Sequence, residues 1–211
     1  MAQFFRIHPD NPQPRLIKQA VEIINAGGIV ALPTDSSYAL ACHLDDRAAV
    51  ERLRRIRGLD ERQLLSLLVR DLSELANFAV VDNRQYRLLK AVTPGPYVFV
   101  LDASKEVPRR LSHPSRKTIG LRVPDHALTL ALLEGLGQAL IASTLILPPD
   151  TVPLNEADAI RVRLEKVVDL VIDGGPCPAE PSTVVDLTGP EPVLVRRGRG
   201  SLVPFGLSDE E

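Results

Sequence analysis

Apolar positions recur along the chain with two periods, one helical and one strand-like, and segments of the two kinds alternate. Over 14–26, Leu16, Ile17, Ala20, Val21, Ile23 and Ile24 fall on one side of a helix that Gly27-Gly28 would stop. Ile29-Val30-Ala31-Leu32 then runs without polar alternation, as a strand buried on both faces does. Asp45 or Asp46 can cap a helix reaching about Arg57, with Val50, Leu53 and Ile56 on its apolar side. A buried strand is expected over 64–69 and helices near 71–77 and 82–92. The segment 93–101, TPGPYVFVL, reads as a turn running into a strand, because prolines around a glycine can start neither a helix nor a central ladder. Strands are expected over 118–124, 139–147, 168–175, 182–187 and 192–197, and helices over 127–137 and 156–167. This alternation implies parallel βαβ units, to which the strand-rich end of the chain can add antiparallel pairs. The expectation is a single α/β domain over 1–207 with 208–211 as a frayed tail.

Composition narrows the class. At 211 residues and 45% apolar content the chain can bury a substantial core as one domain. It has no apolar run of about 18 residues, so no membrane span is expected. The opening MAQFFRIHPDNPQP lacks the apolar core of a signal peptide. Cys42 and Cys177 lie far apart, form no metal or redox motif, and read as buried thiols in a reducing cytoplasm. A net charge of −2 argues against indiscriminate polyanion binding. The arginines are nonetheless clumped, in RLRRIRGLDER (52–62), RRLSHPSRK (109–117) and VRRGRG (195–200). A charge run is usually a solvated face, but three clumps on a near-neutral chain favour a local anion-binding surface.

The densest candidate chemistry follows the first buried strand. Pro33 ends its pairing, and Thr34, Asp35, Ser36 and Ser37 place three hydroxyls and a carboxylate in one turn. Strand ends in open α/β sheets are where ligands bind, although such residues also serve simply to bond the turn's own backbone. No P-loop, GxSxG elbow or zinc spacing is present, and Gly135-Leu136-Gly137 stops a helix instead of opening one on a phosphate. What remains is a scatter of polar groups at strand ends: Thr34, Arg122, Ser143, Thr144, Ser182, Thr183 and Arg196.

Six segments in order carry a resemblance: LPTDSSYALAC (32–42), RIRGLDERQLLSLLVRD (55–71), TPGPYVFVL (93–101), GLRVPDH (120–126), PSTVVDLT (181–188) and VRRG (195–198). Together they resemble the YrdC/YciO family over nearly the whole chain. FFRIHPDNPQ, VPRRL and RKTIGLRVP are similar to its YciO branch. The resemblance implies an open, twisted α/β sheet of mixed parallel and antiparallel strands, around a concave, positively lined cavity. Synthases of the family join threonine, bicarbonate and ATP into threonylcarbamoyl-adenylate, which feeds threonylcarbamoyladenosine in tRNA. Members are also described as binding double-stranded RNA.

Carried over residue by residue, Thr34, Arg122 and Ser182 match the threonyl side of the family's pocket. Arg57, Thr144 and Arg196, with Arg55 beside them, match its nucleotide or RNA-phosphate side. The nucleotide side departs from the synthase pattern. Where synthases carry Lys-Gly-Arg-Pro and then Lys-Pro-Leu, this chain reads Arg57-Gly58-Leu59-Asp60 and Gln63-Leu64-Leu65. Their Ser-Ala-Asn stands here as Thr144-Leu145-Ile146. The resemblance therefore implies an RNA- or tRNA-binding protein of threonylcarbamoyladenosine metabolism, with a threonine- or AMP-like ligand and altered ATP contacts. ATP with magnesium is implied only if synthase activity is retained. A non-catalytic RNA-binding module is the further alternative, and no catalytic residue is assigned.

Overall fold

The computed structural model describes residues 1–60, 63 and 65–208. Strand β1 (Gln3–Arg6) leads into α1 (Pro14–Asn25), which opens on a proline whose missing N–H would be unpaired there anyway, and closes into Gly27 at φ +85°. β2 (Val30–Leu32) and β3 (Ala39–His43) pair across the turn at 33–38. Asp46 caps α2 (Arg47–Arg57) by accepting from the Ala49 N–H at 2.9 Å, and Gly58 ends it in the left-handed region at φ +65°. β4 (Ser66–Leu68), α3 (Leu72–Phe78), β5 (Ala79–Val80) and α4 (Asn83–Val92) follow, with Asp71 and Asp82 as caps. The remaining elements are β6 (Tyr97–Ala103), β7 (Thr118–Arg122), α5 (Ala127–Leu136), β8 (Leu140–Thr144), α6 (Ala157–Leu164), β9 (Leu170–Asp173), β10 (Thr183–Asp186) and β11 (Val193–Arg196). A 3₁₀ turn, Val203–Phe205, follows the last strand.

Among the described residues the strands form one sheet in the order β1-β9-β2-β3-β8-β4-β7-β6-β10-β11, with β5 beside β6. Parallel pairing is confined to β1–β9, β9–β2, β4–β7 and β6–β10. The middle is antiparallel, through β2–β3, β3–β8, β8–β4 and β6–β7. The alternation of strands and helices therefore overstates the parallel share. A parallel neighbour needs a crossover, and neither the β2–β3 nor the β6–β7 connection holds a helix. Strands β1, β3 and β5 fall outside the expected elements, and the end of the expected tail, 209–211, lies outside the described residues, as does Leu64.

The two faces of the sheet are covered unequally. One face packs Leu40, Leu67, Phe99, Leu121, Ile141 and Val185 under apolar residues of α2, α3, α4 and α6. On the other, α1 and α5 cover Val30, Leu32, Ala39, Ala41, Leu140, Leu170 and Ile172, which come from β2, β3, β8 and β9. Successive strand residues point to opposite faces, so Ser66, Val98, Val100, Gly120 and Val184 continue this second face across β4, β7, β6 and β10. No described helix packs there. A bare stretch of sheet remains, and the site lies on it.

Candidate functional site

The floor of the site is small by sequence. Gly120 sits mid-strand between Val98 and Ser66, where an added Cβ would come within 3.1 Å of Val98 Cγ1 and 3.3 Å of Ser66 Oγ. A glycine inside a strand marks close approach of another group, and here it keeps the sheet surface low. Above it lies a cleft of about 270 Å³ lined by Arg57, Arg196, Thr144, Leu59, Gln63 and the floor residues. A small extension shares Ser66, Val98, Ala142, Ser143 and Thr144 and continues to Arg122, Ser37 and Ser182. The cleft thus has two ends. At one stand Arg57 and Arg196; at the other, Arg122.

The Arg122 end is built on the turn after β2. Thr34 Oγ1 donates to the Ser37 carbonyl at 2.6 Å and accepts from the Ser36 and Ser37 N–H groups at 3.2 and 3.3 Å, which folds the turn on itself. Arg122, only 5% exposed, donates from Nη2 to Thr34 Oγ1 at 3.2 Å and forms an ion pair with Asp35. Each member of the pair keeps one buried polar atom without a partner, Arg122 Nε and Asp35 Oδ2. Nearby, His126 is driven below its ordinary value by burial, against opposing pulls from Asp35 and Asp10, and its Nδ1 also lacks a partner. Burial raises Cys177 to about 11, so beside Thr34 it stays a neutral thiol; Cys42 is likewise buried, free and raised to about 12.

The other end is held by α2, β8 and β11. Arg57, in the last turn of α2, donates from Nε to Ser143 Oγ at 3.1 Å. Arg196 donates to the Ser182 carbonyl at 2.9 and 3.2 Å and to Ser182 Oγ at 3.1 Å. Gly198 lets the strand close on this segment: a Cβ there would meet the Pro181 carbonyl oxygen at 2.3 Å. Among the described residues neither Arg57 nor Arg196 pairs with a carboxylate. Burial, and then Arg196, lower Arg57 from its ordinary value to about 10; burial, and then Arg122, lower Arg196. Both remain cationic at neutral pH. An incoming anion would offset both the desolvation and the repulsion from neighbouring cations that depress them.

Arg122, Ser182, Arg57, Thr144 and Arg196, expected from sequence, line this one surface; Thr34 lines neither part and lies buried beneath it, bonded to Arg122. Arg55 is not: it is exposed on α2 and lines no part of the cleft. Two residues apart on α2, Arg55 and Arg57 point about 200° from each other, to nearly opposite sides of the helix. Gly120, Ser66 and the Asp35–Arg122 ion pair were not singled out; the glycine inside a strand pattern was the available signal for the first. Leu59 and Gln63, two of the positions that depart from the synthase pattern, line the Arg57–Arg196 end. Ile146, the third, lines neither part. No group of His, Cys, Asp and Glu suited to a metal ion is found among the described residues, and no described helix is long and apolar enough to cross a membrane.

The family model for Sua5, yciO and yrdC, described as "Telomere recombination", matches residues 22–198. The chain belongs to the Sua5/YciO/YrdC family. The uncharacterized protein YciO of Escherichia coli K12 is 51% identical over 205 residues, covering 97% of this chain and 100% of that one. Its crystal structure superposes with a TM-score of 0.95 over the same shares. The threonylcarbamoyl-AMP synthase of Mus musculus is 32% identical over 183 residues, 82% of this chain and 63% of the synthase. The P. abyssi Sua5 structure complexed with L-threonine matches with a TM-score of 0.85 at 27% identity, over 92% of this chain and 57% of Sua5. This chain therefore spans about three fifths of the length of those two relatives, and all of YciO's. Its mixed open sheet is the family fold, and the family includes threonylcarbamoyl-AMP synthases.

Proposed function

We propose that the cleft binds a ligand with a threonyl group at the Arg122 end and a phosphate at the Arg57–Arg196 end. On this reading the protein acts on RNA in the metabolism of threonylcarbamoyladenosine in tRNA. The observation that carries it is the pair of half-buried arginines, without a carboxylate partner among the described residues, facing the same cleft as Arg122. Two adjacent guanidinium groups suit a phosphate, whose oxygens can take bidentate contacts from each. Arg122, which lines this end, keeps one buried donor, Nε, without a partner, and a guanidinium suits the carboxylate of a free amino acid. L-threonine in the P. abyssi relative supports that assignment.

The same cleft argues against efficient synthesis from ATP. Transfer at phosphorus or through a mixed anhydride depends on cations and donors already in place. Leu59 and Gln63 stand at the phosphate end where synthases present cations, and Ile146 stands in place of an amide. Each charge-assisted contact is worth on the order of 1.5–3 kcal/mol, so losing the two cations that would line the cleft lowers the rate by about two to four orders of magnitude. A chain that keeps the threonyl side and weakens the ATP side suits work on the finished modification better than its manufacture. Nucleoside mass spectrometry on tRNA tests this. tRNA already carrying threonylcarbamoyladenosine should lose it on incubation with the protein, and Arg122→Ala should block the loss. Unmodified tRNA supplied with threonine, bicarbonate, ATP, magnesium and the downstream transfer enzymes should gain little. A gain at synthase-like rates would make Arg57 and Thr144 sufficient for synthesis and overturn the reading. Binding without change in either sample would leave an RNA-binding module.

A further inference from the structure

The linings of the two parts of the cleft hold three arginines, Arg57, Arg196 and Arg122, and no carboxylate residue. Arg57 and Arg196 keep their charge uncompensated, with no carboxylate partner among the described residues. Arg122 does not: Asp35 pairs with it from outside both linings, with only 12% of its side chain exposed. The pair is one-sided. Among the described residues Arg122 is bonded through Nη2 alone, to Asp35 Oδ1 and Thr34 Oγ1, while Nε and Asp35 Oδ2 are buried without partners. A guanidinium and a carboxylate can meet through two parallel hydrogen bonds, and a buried pair kept for stability alone gains by doing so. No second cation compensates Asp35. Among the described residues its sole ion pair is with Arg122, and burial holds nearby His126 below its ordinary value, which leaves it neutral at pH 7. The charge of Arg122 also reaches the other end, where it adds to the burial that lowers Arg196. Without Asp35 the cleft would present three cations in one connected field; with it, the excess positive charge sits at one end.

We propose that Asp35 is a positioning residue that offsets the charge of Arg122 and thereby fixes which way round a ligand enters the cleft. This rests on the two-ended reading of the cleft and adds how its ends are told apart. A phosphate carries more negative charge than a carboxylate and is drawn chiefly by net positive charge, so it goes to Arg57 and Arg196. Against the neutral Arg122–Asp35 pair it gains little, and at close range the Asp35 carboxylate repels it. The carboxylate of a zwitterion such as L-threonine still takes hydrogen bonds from the guanidinium, and its ammonium offsets that repulsion. The Arg122 end therefore selects a zwitterion or a singly charged carboxylate, although an arginine by itself suits a phosphate equally well. Stabilising a buried cation and orienting a ligand are separable roles. A purely structural ion pair would change melting; an orienting one also changes which anions compete.

The test is calorimetric titration of L-threonine into the full chain at rising inorganic phosphate, with ionic strength held constant by chloride. In the wild type, phosphate should bind and leave threonine affinity equal or higher, because the two occupy different ends. In Asp35→Asn and in Asp35→Ser, which remove the charge, phosphate should compete at Arg122 and raise the apparent threonine dissociation constant about tenfold or more. Asp35→Glu, which restores the charge, should return the wild-type pattern. Competition by phosphate in the wild type would overturn the proposal without any variant. Neutral variants in which phosphate and threonine still bind independently would overturn it too, and so would unfolding of both, which would make the pair structural. In each of these results threonine binding by the wild type leaves the proposed function standing. A wild type that binds no threonine would overturn that reading, and the role of Asp35 with it.

Discussion

Replacing Arg57 by Gln should separate stability from binding. The guanidinium is half-buried, repelled by Arg196 and, among the described residues, unpaired with any carboxylate, so its removal relieves an electrostatic cost. Urea midpoints without ligand should therefore hold or rise, while phosphate or nucleotide affinity falls about tenfold or more, as expected for one lost charge-assisted contact. A large drop in stability would mean that the Ser143 hydrogen bond matters more than the repulsion. His126 yields a prediction in pH. Burial holds its folded-state pKa below its ordinary 6.5, against Asp35, Asp10 and Asp125 and with Arg122. The stability this contributes is present above about pH 6.5 and is lost as pH falls through the lower folded value. Comparing urea midpoints at neutral and mildly acid pH, His126→Gln should lose less stability on acidification than the wild type. Equal losses would place the acid sensitivity elsewhere. At this scale Arg122, Thr34, Ser182, Arg196, Arg57 and Thr144 were legible because ordered motifs carried them. The Asp35–Arg122 pair was not, since a carboxylate in a turn looks the same whether it bonds its own backbone or a guanidinium brought from β7.

Helix α2 is the element that holds Arg57 in the cleft, and its ends are set by single residues. Asp46→Ala removes the acceptor for the Ala49 N–H and should cost about 1 kcal/mol. Gly58→Ala forces a Cβ into left-handed backbone and to within 2.9 Å of Pro148, and should cost about 1–2 kcal/mol. The second change should also impair the cleft, because Gly58 follows Arg57 directly; thermal melts with phosphate titration would read both effects. Undiminished phosphate affinity in Gly58→Ala would show that Arg57 does not need a fixed helix end. Caps and apolar periodicity made nearly every helix legible in sequence. Pairing direction was not, because a buried strand has the same apolar run whether its neighbour is parallel or antiparallel. β1 escaped because its four residues, Gln-Phe-Phe-Arg, show neither alternation nor an apolar run long enough to signal a strand.

For the whole molecule, the position of the site follows from helix distribution. Among the described residues four helices pack on one face and two on half of the other, so the sheet keeps an uncovered stretch with a glycine at its floor. Which side a helix takes is decided by crossover handedness and strand order, and sequence periodicity records neither. Family resemblance supplied the sheet and its mixed character; only the structure shows that Leu59 and Gln63 face the Arg57–Arg196 end. Leu59→Arg/Gln63→Lys should accordingly raise ATP affinity about tenfold or more by restoring two cations, measured by equilibrium dialysis. No gain would mean that those positions do not meet the polyphosphate.

Calorimetric titration of L-threonine into the wild-type chain and into Arg122→Ala, each with and without AMP, bears most directly on the two-ended cleft. Saturable threonine binding that Arg122→Ala abolishes, and that AMP strengthens in the wild type by engaging Arg57 and Arg196, is the predicted result. Threonine binding that survives Arg122→Ala, or no binding by the wild type at concentrations that saturate a threonine site, would contradict it.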